Sequence, residues 1–278
     1  ERPLLKTPMA IEALQTQDIQ RDQQLHIAPV LNRIAGVYMQ SSNLNTNRLT
    51  IRGMGARTLF GTSKVRAFWN GIPLSSGEGT TDIEDIDLSL IDEIEVIKGP
   101  ASSLYGAGLG GALLLKSNPS YSEKGKLEIT QNATLGAFGM LRSVSNIHLS
   151  QSNWTSNLSV ASTQWDGYRA NNNYERSQIT LNTAFKQNER SEWQLLASTI
   201  ALKAFIPSSL NRQMYLNTPR AAAPNWAGAA GYEDYTKWML GVSNQFKITD
   251  KTKLNTTVFG QTRTNYEPRP FNILDEEQ

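Results

Sequence analysis

Past residue 119 the chain settles into one repeating pattern: apolar and polar side chains alternate with a period of two, in runs that are mostly nine residues or longer. That period belongs to a β-strand whose two faces meet different surroundings. Leu127, Ile129, Ala133, Leu135 and Ala137 fall on one face, and Glu128, Thr130, Asn132 and Thr134 on the other. The same split separates Trp154, Leu158 and Val160 from Asn157 and Ser159, and Ile179, Leu181 and Phe185 from Thr180 and Asn182. It recurs through Trp193, Leu195, Ala197 and Thr199, through Trp238, Leu240, Val242, Phe246 and Ile248, and begins again at Leu254, Thr256 and Val258. With residues 141–150 included, about seven strands are expected. Strands of soluble sandwiches usually run to about 5–6 residues. A strand that crosses a bilayer needs about 9–11, so strand length favours a membrane barrel.

The connections agree. Residues 150–153, 187–191 and 249–252 are short polar turns, whereas 165–174 and 207–235 are long. Short turns at one end and long loops at the other are the asymmetry of outer-membrane barrels. Trp154, Trp193 and Trp238, with Tyr168, Tyr174 and Tyr235, lie at or near strand ends, as an aromatic girdle requires. A hydrophobic share of 39% suits such a barrel, because only every second residue faces lipid. No run approaches the roughly 18 apolar residues of a membrane helix, which excludes helical membrane proteins. The chain opens on ERPLLKTP, without the pattern of a signal peptide, so an exported protein would be expected here in mature or trimmed form.

Other classes recede on composition. A net charge of +2, from 27 basic and 25 acidic side chains, does not point to a nucleic acid. Without cysteine there is neither a disulfide framework nor a thiolate metal site. His26 and His148 stand alone, with no ligand at metal spacing, so no metal centre or cofactor is expected. The acidic run from Asp82 to Asp87 lacks the spacing and central glycine of a calcium loop. No nucleophile–histidine pair is visible, so the chain reads as a non-enzyme.

Residues 1–118 have a different character, a mixed α+β domain. An extended segment to Gln15 precedes a helix opened near Thr16 or Asp18, with apolar residues at helical spacing from Leu25 to Ile34. Residues 37–40, 49–52, 65–69, 91–98 and 112–116 read as strands, 41–47 as a polar loop, and 83–90 as an acidic helical turn. Asn70-Gly71 is the strongest hairpin signal in the chain. Gly106, Gly108, Gly110 and Gly111 have the density of a phosphate cradle, but a strand follows them and no Gly-Lys-Ser/Thr is present. They are expected instead to permit tight turns and close backbone approach.

At these residues the sequence resembles the TonB-dependent outer-membrane receptors. LNRIAGVYMQ, LTIRGMGAR, VRAFWNGIPL and IDEIEVIKGPASSLYGAGLGGALLLKS resemble, in order, four plug motifs of that family. Two departures stand out: Asn70 replaces the usual aspartate of the hairpin, and Lys98 the usual arginine before Gly99-Pro100. The resemblance implies an α+β plug at 1–118, followed at 119–278 by the first strands of an antiparallel barrel of about 22 strands, the rest lying outside this sequence. It implies import of a scarce ligand, most simply a ferric siderophore or related metal chelate, across the outer membrane of a Gram-negative bacterium. The implied partners are TonB with its inner-membrane energising complex, outer-membrane lipid and lipopolysaccharide, and an accessory lipoprotein. An importer of glycans or peptides of the SusC-like branch, and a β-rich binding protein without transport, are the competing classes.

Candidate residues follow. By resemblance, Arg52 and Lys98 face barrel glutamates and lock the plug. Glu93 and Glu95 share one face of their strand and are expected to pair with Arg52, Arg57 or Lys98. Arg57, Phe60, Lys64, Ser76 and Glu78 belong to the expected plug apices, and Trp226, Tyr232 and Tyr235 to the long outer loop and its edge. Together they offer charge and rings to a chelate. Asn70, Gly71, Gly99, Pro100, Gly106, Gly110 and Gly111 are expected to shape turns.

Overall fold

A computed structural model describes residues 9–21, 25–44, 46–56, 62–106 and 108–270. The chain divides into two compact units, one of Glu1–Ser120 with Gln187–Trp193 and Ser243–Val258, the other of Tyr121–Lys186 with Gln194–Val242 and Phe259–Gln278.

The first unit begins with strand β1 (Ala10–Gln15) and the short helices α1 (Thr16–Gln20) and α2 (Ala28–Leu31). Strands β2 (Val37–Asn43) and β3 (Thr46–Ile51) form a two-stranded sheet. Then come β4 (Val65–Trp69), β5 (Ile72–Pro73), β6 (Glu93–Lys98), helix α3 (Ser102–Tyr105) and β7 (Gly111–Lys116). Five of these strands make a sheet in the order β1-β6-β7-β4-β5, with β4 and β7 parallel and the other pairs antiparallel. Alternation decides what is buried. Val65, Ala67 and Trp69 of β4, Ile94 and Val96 of β6, and Leu113 and Leu115 of β7 are in the core, while Glu93 and Glu95 face the other way.

Three expectations change here. The helix periodicity from Leu25 to Ile34 yields only α2, four residues long with Pro29 in its first turn. The first helix is capped from Gln15, whose N–H donates to Asp18 Oδ2 at 3.1 Å, while Thr16 donates its hydroxyl to the Asp92 carbonyl at 3.0 Å. The expected loop at 41–47 is largely strand, because the β2–β3 ladder continues through Gln40↔Arg48 and Ser41↔Asn47. Backbone pairing needs no apolar side chains, so it leaves no signal in a polar sequence. The acidic segment forms two 3-10 turns, Ile83–Asp85 and Leu88–Leu90.

The second sheet has seven strands: β8 (Lys126–Gly136), β9 (Met140–Ser150), β10 (Trp154–Trp165), β11 (Tyr174–Asn188), β12 (Ser191–Phe205), β13 (Tyr232–Thr249) and β14 (Thr252–Tyr266). Each lies beside its neighbours in sequence, and the registers run antiparallel. The strands are 11 to 18 residues long, so every one meets the length a bilayer crossing demands. Helices α4 (Arg212–Asn217) and α5 (Pro224–Gly228) lie in the long connection between β12 and β13.

Polarity across the central strands is the reverse of a soluble sheet. On β11, Thr180 is 0% and Gln178 3% exposed, while the intervening Ile179 is 48% exposed. On β10, Thr155, Ser159 and Thr163 are buried and Val160 is exposed. On β13, Tyr235 and Lys237 are buried and Trp238 and Leu240 exposed. The buried hydroxyls are bonded to one another: Thr180 and Ser198 at 3.0 Å, with Gln178 donating to Thr180 at 3.3 Å. The edge strands β8 and β14 are exposed on both faces. Strand β12 departs from expectation, for Leu196, Ile200 and Leu202 are buried opposite the anticipated apolar face of Trp193 and Leu195. Its sequence is apolar at both parities, and a period-two reading registers only one.

Candidate functional site

The hairpin Val65–Gly71 returns as the sequence predicts. Asn70 and Gly71 both take positive φ, 47° and 81°, the backbone of a tight primed turn. Asn70 Oδ1 also accepts from the Ser117 N–H at 2.9 Å, so the residue that replaces an aspartate ties the hairpin to the end of β7. Trp69 Nε1 donates to the Ser117 hydroxyl at 2.9 Å, and that hydroxyl donates on to the Leu90 carbonyl.

The charged face of the β6–β7 ladder corrects the expected pairings. Lys116, directly opposite Glu93, bonds Glu93 at 2.8 Å and Glu95 at 2.7 Å. Lys98 bonds Glu12 of β1 at 2.5 Å, so its charge is matched within this sheet. Burial tends to raise the Glu93 pKa, but the bonds from Lys116 and its neighbours outweigh it and hold it below the ordinary 4.5. Burial likewise tends to lower Lys116, and the bonds to Glu93 and Glu95 raise it overall above 10.5. The Glu93 contribution is therefore present above its unfolded value and lost as pH falls through the folded one. The Lys116 contribution is present below its unfolded value and lost as pH rises through the folded one. Together they stabilise β6 and β7 from about pH 5 to about pH 10.

Replacing the cation leaves two carboxylates side by side. Lys116→Met is expected to lower the opening free energy of the β6 amides by about 1–2 kcal/mol at pH 7, since the group is partly exposed. The loss should shrink below about pH 5 as Glu93 protonates. Amide hydrogen exchange across that range checks it, and a loss that did not vary with pH would deny the ion triad.

Arg52 sits at φ 51° with its N–H donating to the Gly36 carbonyl at 2.7 Å, and its side chain lies by Gly36 and Gly99. Gly99, Gly106 and Gly111 all have positive φ, and Pro100 leads into α3. Gly110 donates to the Lys64 carbonyl at 2.8 Å, and a Cβ there would crowd Lys64 and Val65.

At the expected apex, Lys64 and Glu78 are exposed and Ser76 half-buried. Ser76 closes a tight turn, its N–H donating to Thr80 O at 2.8 Å and its carbonyl accepting from Gly79 at 2.9 Å. Arg66 steadies this turn by donating to the Gly79 carbonyl at 2.6 Å. Arg57 and Phe60 lie outside the described residues.

In the second unit, sequence reasoning missed the groups that organise the long connections. Arg169 donates to the carbonyls of Ala221 at 3.0 Å, Ser208 at 2.6 Å and Pro207 at 3.2 Å, and burial lowers its pKa. Asn171 donates to Ile206 O and Gly231 O at 2.8 and 3.0 Å. Arg220 lies over the rings of Phe138 and Tyr168, which themselves meet edge to face at 5.3 Å. These contacts bind residues 137–139, 166–173 and 206–231 into one platform. Because the acceptors are carbonyls, only the arginines and asparagines in long loops could have signalled it. Trp226 packs against Gly231, where a Cβ would collide with its ring. On the polar face of β13 and β14, Arg263 lies 3.8 Å over the Tyr235 ring and bonds Glu233. Tyr232 falls on the opposite, apolar face.

Residues 3–113 match the family model of the TonB-dependent receptor plug domain. The chain is 26% identical over 150 residues to the ferrioxamine receptor of Yersinia enterocolitica, across 52% of this chain and 21% of that protein. It is 30% identical over 116 residues to the vitamin B12 transporter BtuB of Photobacterium profundum, across 41% of this chain and 18% of that protein. Its fold is similar to that of the unliganded ferric citrate transporter FecA, with a TM-score of 0.78 at 18% identity, over 95% of this chain and 41% of that one. It is similar to the ferric yersiniabactin receptor FyuA of Yersinia pestis, with a TM-score of 0.75 at 15% identity, over 95% and 42%. The chain thus spans about a fifth of the length of the curated relatives it matches and about two fifths of the solved structures.

Proposed function

Because the chain belongs to the TonB-dependent receptors, we propose that it is the plug and first barrel wall of a protein that imports a scarce ligand across a bacterial outer membrane, driven through TonB. The observation that supports this most directly is the pairing in one chain of a plug-type domain with a long-stranded sheet whose apolar face is exposed. We take residues 1–118 as the plug and 119–278 as barrel. The ligand we favour is a ferric siderophore or related iron chelate, in keeping with a ferrioxamine receptor among the relatives. Cobalamin is the second reading, favoured by the similarity to vitamin B12 transporters.

In this reading the ligand docks on the loop side. Lys64, Ser76 and Glu78, with Arg57 and Phe60, offer contacts from the plug, and Trp226 from the loops. A ligand shifts the plug only by binding one of its states better than the other. The coupling-competent state is then the one TonB engages from the periplasm, with its inner-membrane complex as the energy source. Arg52 would lock the plug to glutamates of the wall, as charge-assisted bonds do.

The test is uptake. A strain lacking the gene is expected to lose import of one labelled ligand among ferric hydroxamates, catecholates, citrate and cobalamin, and to regain it on complementation. Unchanged uptake of all of them would refute the reading.

A further inference from the structure

Three consecutive residues of the connection 166–173 hold the longer connection 206–231 from outside it. Arg169 donates to the carbonyls of Pro207, Ser208 and Ala221, Asn171 to those of Ile206 and Gly231, and the Ala170 N–H to that of Arg220 at 2.7 Å. The acceptors lie at both roots of the connection and near its middle. Within it, the Ile206 N–H donates to the Gly231 carbonyl at 2.9 Å and closes the neck, and the Ala223 N–H donates to the Pro207 carbonyl at 2.8 Å. One carbonyl thus serves Arg169 and Ala223 together, and another serves Asn171 and Ile206, as two lone pairs allow.

These shared acceptors fix α5. Ala223, only 6% exposed, caps its start, and the Gly231 N–H donates to the Trp226 carbonyl at 3.0 Å. The Trp226 ring lies against Gly231. Each end of α5 therefore runs through a single carbonyl to Arg169 or Asn171. Helix α4, between the stapled points, is different. Its Met214 N–H is capped by Asn211 Oδ1 at 2.8 Å, its Tyr215 N–H donates to the Asn211 carbonyl at 2.9 Å, and Tyr215 and Leu216 are exposed. Arginine suits the stapling position because its planar guanidinium carries five donors in a fixed fork and reaches three carbonyls at once. A loop ordered in advance spares a ligand the cost of ordering it.

We propose that Arg169 is a positioning residue, which staples the connection 206–231 into a fixed shelf and so sets Trp226 in place in the free receptor. This rests on the reading above in which Trp226 meets the imported ligand. Were the shelf loose, the apparent affinity would fall by the fraction of receptors that hold it correctly.

Backbone hydrogen exchange is followed in the full receptor and in Arg169→Met, Arg169→Lys and Asn171→Gly, with and without ferrioxamine, ferric citrate or cobalamin as probe. Affinity, and the saturated uptake rate in cells, are measured for whichever probe binds. In the wild type the Ala223 and Gly231 amides should be protected before any probe is added and no better protected afterwards. Arg169→Met should speed their exchange about 30-fold, the worth of a charge-assisted bond, while the strand amides of Thr180 and Ser198 keep their wild-type rates. It should weaken the probe about tenfold at an unchanged saturated rate, as a smaller competent fraction does. Arg169→Lys should resemble Arg169→Met, because an ammonium lacks the fork. If Arg169→Met disturbs the strands as well, Asn171→Gly replaces it: glycine keeps the positive φ of 53° and removes two bonds alone, with Gly231 as the reporter. Wild-type exchange at Ala223 in either Arg169 variant, protection that arises only with the probe, or unchanged affinity in Arg169→Met overturns the proposal. If no probe binds the wild type, the ligand reading of Trp226 fails, and exchange in the free receptor still decides whether Arg169 fixes the shelf.

Discussion

A receptor carrying Gly111→Ala is expected to lose its folded plug. A Cβ at Gly111 would stand 1.9 Å from the Ile97 carbonyl oxygen and 3.3 Å from the Gly99 nitrogen, at a backbone φ of 134°. None of these atoms is the end of a flexible side chain. The Ile97 carbonyl is set by the β6–β7 register, and Gly99 N–H donates to the Gly110 carbonyl at 3.1 Å. The strained φ costs about 1–3 kcal/mol, and forcing an extra methyl into a packed site costs about another 1–3. A total of about 2–6 kcal/mol is a large share of a domain's stability. Gly53→Ala is the control: its φ is also positive, at 78°, but nothing lies within 4 Å of the added carbon. It should cost about 1 kcal/mol. Hydrogen exchange of the β6 and β7 amides, with receptor yield in the membrane fraction, separates the two. Wild-type protection in Gly111→Ala would mean that β6 and β7 do not approach as described.

The second large effect concerns the apolar face. Ile179 is 48% exposed, and in a water-soluble sheet Ile179→Arg would change stability by no more than about 0.5 kcal/mol. In a bilayer the same change costs about 2–4 kcal/mol near the midplane. Folding into vesicles from urea, followed by the mobility shift between heated and unheated protein, measures the difference. A neutral result would place Ile179 in water and remove the lipid-facing assignment of the sheet. Thr180→Val, on the buried face, tests the opposite side. It leaves Gln178 and Ser198 short of a hydroxyl partner, at about 1–3 kcal/mol.

Local chemistry was legible in the sequence wherever it acts between neighbours. Asn70-Gly71 announces its turn because both residues tolerate positive φ. The short turns between β9 and β10, β11 and β12, and β13 and β14 fall where the alternation breaks. What sequence could not supply was register. Lys116 rather than Lys98 answers Glu93 because β7 pairs with β6 so as to place Lys116 opposite it, and no local pattern encodes a pairing 23 residues away. The Arg169 platform was hidden for a related reason, since its acceptors are backbone carbonyls that every residue carries. Strand β12 misled in part because both of its parities are apolar.

The inversion of polarity across β10, β11 and β13 also bears on how such a chain matures. On the barrel reading proposed above, its exposed leucines and tryptophans meet water before they meet acyl chains, and there they are adhesive, so aggregation competes with delivery. Substitutions that ease the journey by making those positions hydrophilic would damage the finished product. The sequence answers to two solvents in turn, and the second one dictates the residues.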